Sequence, residues 1–168
     1  LERPVAVKVD SRPLDDPRNE RRFMREVQAA SRISGHPHVV SLVDTGKLPD
    51  LRPYLVMELC AGGSLYDLVS RGPTPASDAV ALVEAAASAL GAAHAAGVMH
   101  RDVKPANILM DDASAPPAPR VADFGVARIC DSAVSTRSTG GGAGTPLYMS
   151  PEAADGLPAA PSMDVYSL

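Results

Sequence analysis

Between His100 and Asn107 the chain reads His100, Arg101, Asp102, Val103, Lys104, Pro105, Ala106, Asn107, which crowds several polar and charged side chains into one short segment. Asp102 supplies a carboxylate that can orient a hydroxyl nucleophile, Asn107 an amide oxygen suited to a hard cation, and Lys104 a positive charge for phosphoryl oxygens. Taken singly, an Asp or an Asn is more often a turn or cap residue. Their density in one loop is the signal.

The elements around this loop can be read from pattern. Val5 to Val9 is a short β-branched run with Lys8 as its one charge, and a Lys in a strand is by itself usually a solvated edge. Arg18 to Ile33 predicts a helix, because Phe23, Val27 and Ala30 recur at helical spacing and Gly35 follows as a stop. His38 to Asp44 and Tyr54 to Leu59 predict strands, joined by the turn-rich Thr45 to Pro53. After Gly62 and Gly63 the pattern turns mainly helical, so a small sheet-rich part precedes a larger helical one, with the glycines near a hinge. Thr74 reads as the N-cap of a long helix with Pro75 at its first position and Gly97 as its C-terminal stop, which delivers the chain to His100. Ile108 to Met110 and Arg120 to Ala122 predict short strands flanking the Pro-rich Asp111 to Pro119. Ser132 to Gly144 holds almost only Ser, Thr, Gly and Ala with one Arg, which cannot build a core and predicts a loop.

The 168 residues are 45% hydrophobic and 21% charged, enough for one ordinary core. A net charge of −4 gives no general reason to expect nucleic acid or an anionic membrane as partner. Cys60 and Cys130 lack the paired spacing of a zinc site or a disulfide framework and read as reduced thiols. Ala79 to Met99 is apolar enough to raise a membrane span, but Glu84, Ser88 and His94 interrupt it, and a buried amphipathic helix is the better reading. The first ten residues resemble a strand and no signal peptide. Without an initiating Met, the chain is expected to start partway through a longer protein.

In their order along the chain, VAVK around Lys8, a helical Glu26, HRDVKPANIL, the DFG of Asp123 to Gly125 and GTPLYMSPE resemble the protein kinase family, over nearly the whole sequence. The wording is most similar to the bacterial branch of the eukaryotic-type Ser/Thr kinases, and the Ala- and Arg-rich composition suits a high-GC bacterial source. The resemblance implies an α+β, two-lobed fold, truncated at both ends: residues 1–60 a partial N-lobe and hinge, residues 61–168 a partial C-lobe. The Gly-rich loop and the later C-lobe helices would lie outside the chain.

Carried over position by position, the resemblance implies that Lys8 holds ATP phosphates and pairs with Glu26. Asp123 and Asn107 would bind Mg²⁺ (or Mn²⁺), Asp102 would accept the substrate hydroxyl proton, and Lys104 would steady the transferring phosphoryl group. Met57 would be the gatekeeper, the backbones of Glu58 and Cys60 would meet the adenine edge, and Ala6 and Leu109 would cover its faces. Ser64 falls where relatives carry an acidic ribose contact. Lys104 and Thr145 favour Ser/Thr over Tyr as phosphoacceptor. Arg101 marks regulation by phosphorylation of the following loop, with Thr136, Ser138 or Thr139 as the favoured sites. Asp164 resembles a helix Asp that holds the catalytic-loop backbone. The implied partners are ATP, protein substrates and a second kinase copy for trans-autophosphorylation. The implied location is a cytoplasmic domain, with room for a membrane anchor outside the chain. Two other classes compete: a pseudokinase scaffold, disfavoured by intact Lys8, Asp102, Asn107 and Asp123, and a small-molecule phosphotransferase, disfavoured by Thr145 to Glu152.

Overall fold

The computed structural model describes residues 3–11, 13–111, 118–124 and 147–168, with the side chain of Glu26 outside that set. Three antiparallel strands, β1 (Val5–Val9), β2 (Leu42–Lys47) and β3 (Pro53–Glu58), form a sheet in the order β1-β3-β2. Ala6 pairs with Met57 and Lys8 with Leu55, so these four share one face. The alternate residues Val5, Val7 and Val9 stand on the other face and are exposed. The β-branched run is therefore the outer side of the strand, and its Ala and Lys face the cleft.

Helix α1 (Pro17–Ser31) packs on this sheet. Asp16 caps it by accepting the N–H of Arg18 at 2.7 Å. Phe23 and Val27 bury against Leu55 and Leu14, with Leu42 and Met57 alongside. Each such side chain contributes about 1.5–3 kcal/mol on burial.

The predicted strand His38 to Asp44 is corrected. Regular pairing with β3 starts only at Leu42 and runs on through Thr45 and Gly46 to Lys47. Residues before it turn to the second sheet instead: Val121 donates its N–H to the His38 carbonyl at 2.8 Å, and Val40 donates to the Val121 carbonyl at 2.9 Å. That sheet is the hairpin of β4 (Ile108–Asp111) and β5 (Ala118–Val121).

Helix α2 (Leu65–Ser70) follows the hinge glycines, and helix α3 (Ala76–Ala95) brings the chain to His100. The Thr74 cap is also corrected: Pro75 is the N-cap, and its carbonyl accepts the N–H groups of Asp78 and Ala79 without any side-chain cap. Gly97, at φ +75°, ends the helix in the left-handed conformation as read. By length and composition α3 could cross a membrane. Ala86, Ala89, Leu90 and Ala93, all but inaccessible, instead centre the main core with Val39, Val98, Val103, Ile108, Val121 and Phe124. Two short helices, α4 (Pro151–Ala154) and α5 (Pro161–Ser167), complete the described structure, and α5 packs on α3.

The hinge is held by close backbone contact. Gly62 donates its N–H to the Met110 carbonyl at 3.0 Å, and Met110 donates to the Gly63 carbonyl at 2.9 Å. A Cβ on Gly62 would lie 2.7 Å from the Met110 carbonyl oxygen, so only glycine fits. Gly62→Ala is expected to destabilise the fold by about 1–3 kcal/mol. Gly91→Ala, at an open position inside α3, is expected to be neutral or to stabilise by up to about 1 kcal/mol. Denaturant midpoints of the two variants check both signs.

Candidate active site

The segment from His100 to Asn107 is shaped from beneath by a buried carboxylate. Asp164 in α5, 2% exposed, accepts the backbone N–H of His100 at 2.9 Å and that of Arg101 at 2.7 Å. His94 of α3 donates its Nε2–H to the same carboxylate at 2.8 Å. Three donors make the buried charge tolerable. Arg101 is held at φ +69°, a left-handed conformation that costs a non-glycine residue on the order of 1–3 kcal/mol. The carboxylate below it secures that turn.

His100 is 1% exposed and connects two loops. Its Nε2 lies 2.8 Å from the Ala122 carbonyl, which can only accept, and its Nδ1 receives the N–H of Asp102 at 3.2 Å. The ring is therefore the neutral Nε2–H tautomer. Burial lowers its pKa, against opposing contributions from the Ala122 carbonyl and the nearby Asp164, Asp102 and Asp123 carboxylates. Phe124 packs against it with the rings tilted by 59° and 4.8 Å between centroids. Asp123, just before Phe124, is a second strained residue at φ +63°.

Above this base the polar side chains converge. Asp102 Oδ2 accepts from Lys104 Nζ at 2.7 Å and from Asn107 Nδ2 at 2.9 Å, and Asn107 Nδ2 also reaches the Asp102 carbonyl at 2.8 Å. With its nitrogen so engaged, Asn107 has its Oδ1 available for a cation. Lys8 of β1 forms an ion pair with Asp123 Oδ2 at 2.8 Å, across 115 residues of sequence. The pairing of Lys8 with Glu26 lies outside the described residues, as do Gly125, Thr136, Ser138, Thr139 and Thr145.

Ala6, Lys8, Met57, Glu58, Cys60, Asn107, Leu109 and Asp123 line one cavity of about 240 Å³, with Val40, Leu59, Ala106 and Ala122 completing its wall. Ser64 is not part of that wall. It is the N-cap of α2, in a reciprocal capping box with Asp67: its hydroxyl lies 2.6 Å from Asp67 Oδ2, and hydrogen bonds from Ser64 lower the pKa of that carboxyl. A larger groove of about 860 Å³ lies between α3 and the β4–β5 hairpin and holds none of the residues singled out for chemistry.

One feature of the site has no sequence signal. The side chain of Glu58 turns away from the cavity, accepting the Ser41 N–H at 2.7 Å and Arg120 Nη1 at 3.1 Å. Arg120 also bonds Asp111 through Nε at 2.9 Å and Nη2 at 2.7 Å. Burial works against the guanidinium charge, but the Asp111 hydrogen bond and the Glu58 and Asp111 charges outweigh it and raise the pKa. This network ties the end of β3 to both strands of the hairpin behind the cavity.

Two outcomes follow. Arg120→Met removes the guanidinium that two partly buried carboxylates share and is expected to cost about 1–3 kcal/mol, read from urea midpoints. For pH the relevant groups are His100 and His36, both held below 6.5 chiefly by burial. The unfolded chain takes up protons there first, so stability is complete above pH 6.5 and falls as the pH drops through and below it. The urea midpoint should be lower at pH 5.5 than at pH 7.5, and the difference should shrink in His100→Gln; a midpoint that rises on acidification contradicts the neutral tautomer.

The protein kinase domain profile matches residues 2–168. The chain is 44% identical over its whole length to the serine/threonine-protein kinase PknK of Mycobacterium tuberculosis, covering 15% of that protein. It is 44% identical to PknL of the same species, covering 41%, and 43% identical to PknB of Mycobacterium leprae, covering 27%. The chain thus spans less than half the length of these relatives. With its ordered motifs, the cavity they line and a match over nearly every residue, this chain belongs to the protein kinase domain family.

Proposed function

We propose that the protein carrying this chain transfers the γ-phosphoryl group of ATP to Ser or Thr hydroxyls of proteins. The observation that carries the reading is the convergence of Lys8, Asn107 and Asp123, from three separate segments, on one cavity, with Asn107 also holding Asp102. The Ser/Thr kinases among its relatives support the acceptor class.

The donor set fits a Mg²⁺-nucleotide. Among the described residues no group of three or more His, Cys, Asp or Glu could cage a metal. One carboxylate and one amide oxygen instead suit a hard cation that takes its other ligands from phosphates and water. Asp123 would supply the carboxylate and Asn107 the amide. Bound, Mg²⁺-ATP supplies the phosphoryl group and offsets its charge.

The chain's own residues do the rest. Lys8, paired with Asp123 at 2.8 Å, would hold phosphate oxygens, and Asp123 would then be available to the cation. Ala6 and Leu109 flank the base, beside the backbone edge of Glu58 and Cys60. Asp102 keeps Oδ2 on Lys104 and Asn107 and turns Oδ1 to the acceptor hydroxyl, orienting it and taking its proton. Lys104 remains beside the reacting oxygens. Asp102→Asn should lower kcat by about 10²- to 10⁴-fold with little change in ATP affinity. Lys8→Met should weaken nucleotide binding as well.

The reading extends to regulation. Arg101 is exposed and makes no ion pair among the described residues, which supports a role as receptor for a loop phosphate on Thr136, Ser138 or Thr139. A second kinase copy would supply that phosphate, in a cytoplasmic domain. Changing Ser132, Ser135, Thr136, Ser138 and Thr139 together to Ala should leave basal activity only; full activity in that variant contradicts the regulatory part, while the fall in kcat of Asp102→Asn tests the catalytic part separately.

A further inference from the structure

The outer face of α1 carries charge that the fold does not use. Arg18, Arg21, Arg25, Gln28 and Arg32 follow at intervals of three and four, so they form one stripe opposite the buried Phe23 and Val27. All five are exposed. At about 1.5 Å per residue the stripe is about 21 Å long. Among the described residues none of its four arginine side chains makes an ion pair or a hydrogen bond. Two nearby acids are engaged elsewhere: Asp16 caps the helix, and Glu20 binds Lys47 at 2.7 Å.

A helix face that is merely solvated mixes its signs, because opposite charges one turn apart support the helix and like charges weaken it. Here Arg18 with Arg21, and Arg21 with Arg25, set like charges one turn apart. Arg18 and Arg21 also lie near the N-terminal end, where the helix dipole favours acids. The protein as a whole is net negative at −4, so the stripe is a local concentration and no reflection of a basic composition.

We propose that this face of α1 docks an acidic or phosphorylated segment of a protein partner. Guanidinium forks take carboxylate and phosphate oxygens in pairs, and a row of them one turn apart matches a short run of acidic side chains. The negative remainder of the surface disfavours a long polyanion that extends past the stripe. Beside the arginines, Met24 is the one large apolar side chain of the helix that is exposed, which gives a bilayer little to bury.

The test titrates the whole protein with a short fluorescein-labelled peptide of alternating Glu and phosphoserine. A single-stranded oligonucleotide of equal charge and phosphatidylserine vesicles run in parallel. The peptide should bind at low salt and weaken as salt rises. The double variant Arg21→Glu, Arg25→Glu should lose at least about tenfold in affinity, and its melting temperature should stay the same or rise, because Arg18 then has an opposite charge one turn on, while positions 21 and 25 only exchange one like-charge pair for another. No binding by the unaltered protein, binding unchanged in the variant, a lowered melting temperature, or tighter capture of the oligonucleotide or the vesicles would each overturn the proposal.

Discussion

The geometry of the site depends on one buried carboxylate. Asp164 has almost no access to solvent, and a charge so placed is costly unless donors surround it. The donors it finds are the backbone N–H groups of His100 and Arg101 and the ring of His94. This fixes the direction in which the chain leaves α3, holds Arg101 in its strained conformation and sets Asp102 beside Lys104 and Asn107. His100 then passes the constraint on through the Ala122 carbonyl to the residue that precedes Asp123. A polar interaction beneath the surface thus determines where the reactive carboxylates stand.

A second constraint acts across the hinge. Gly62 admits the Met110 carbonyl, the His38 to Val40 segment bonds β5, and Arg120 joins Glu58 to Asp111. These contacts tie the three-stranded sheet with its helix to the β4–β5 hairpin along one line behind the cavity. Lys8, on β1, can thereby meet Asp123, which lies beyond β5. Their ion pair is exposed at Lys8 and partly exposed at Asp123, so it contributes little by itself.

Much of this was legible in the sequence because the residues proposed to do chemistry are contiguous or have a fixed local geometry. Asp102, Lys104 and Asn107 lie within one loop, and α1 follows from the spacing of Phe23 and Val27. Other features depend on register or on distant pairing, which a linear pattern does not carry. The sequence shows β1 as a β-branched run without saying which face is buried; pairing with β3 turns its valines outward and turns Ala6 and Lys8 to the cleft. Residues 38 to 40 read as the start of a strand running to Asp44, but their partner is Val121 of the other sheet. Ser64 stands at a position suggestive of ribose and is instead engaged by Asp67, three residues on. The Glu58–Arg120–Asp111 network left no trace in the sequence, since a Glu near a hinge and an Arg in a short strand look like ordinary surface charges until the fold brings them together.

The claim that Asp164 positions the reacting loop is tested most directly by Asp164→Asn in the whole protein, with kcat and ATP affinity measured together. An amide keeps one acceptor oxygen but turns an N–H group toward a backbone donor, so the support is broken at one point while the volume is kept. The account predicts a large fall in kcat, a nearly unchanged ATP affinity and a cooperative unfolding transition. An unchanged kcat in a folded variant would contradict it.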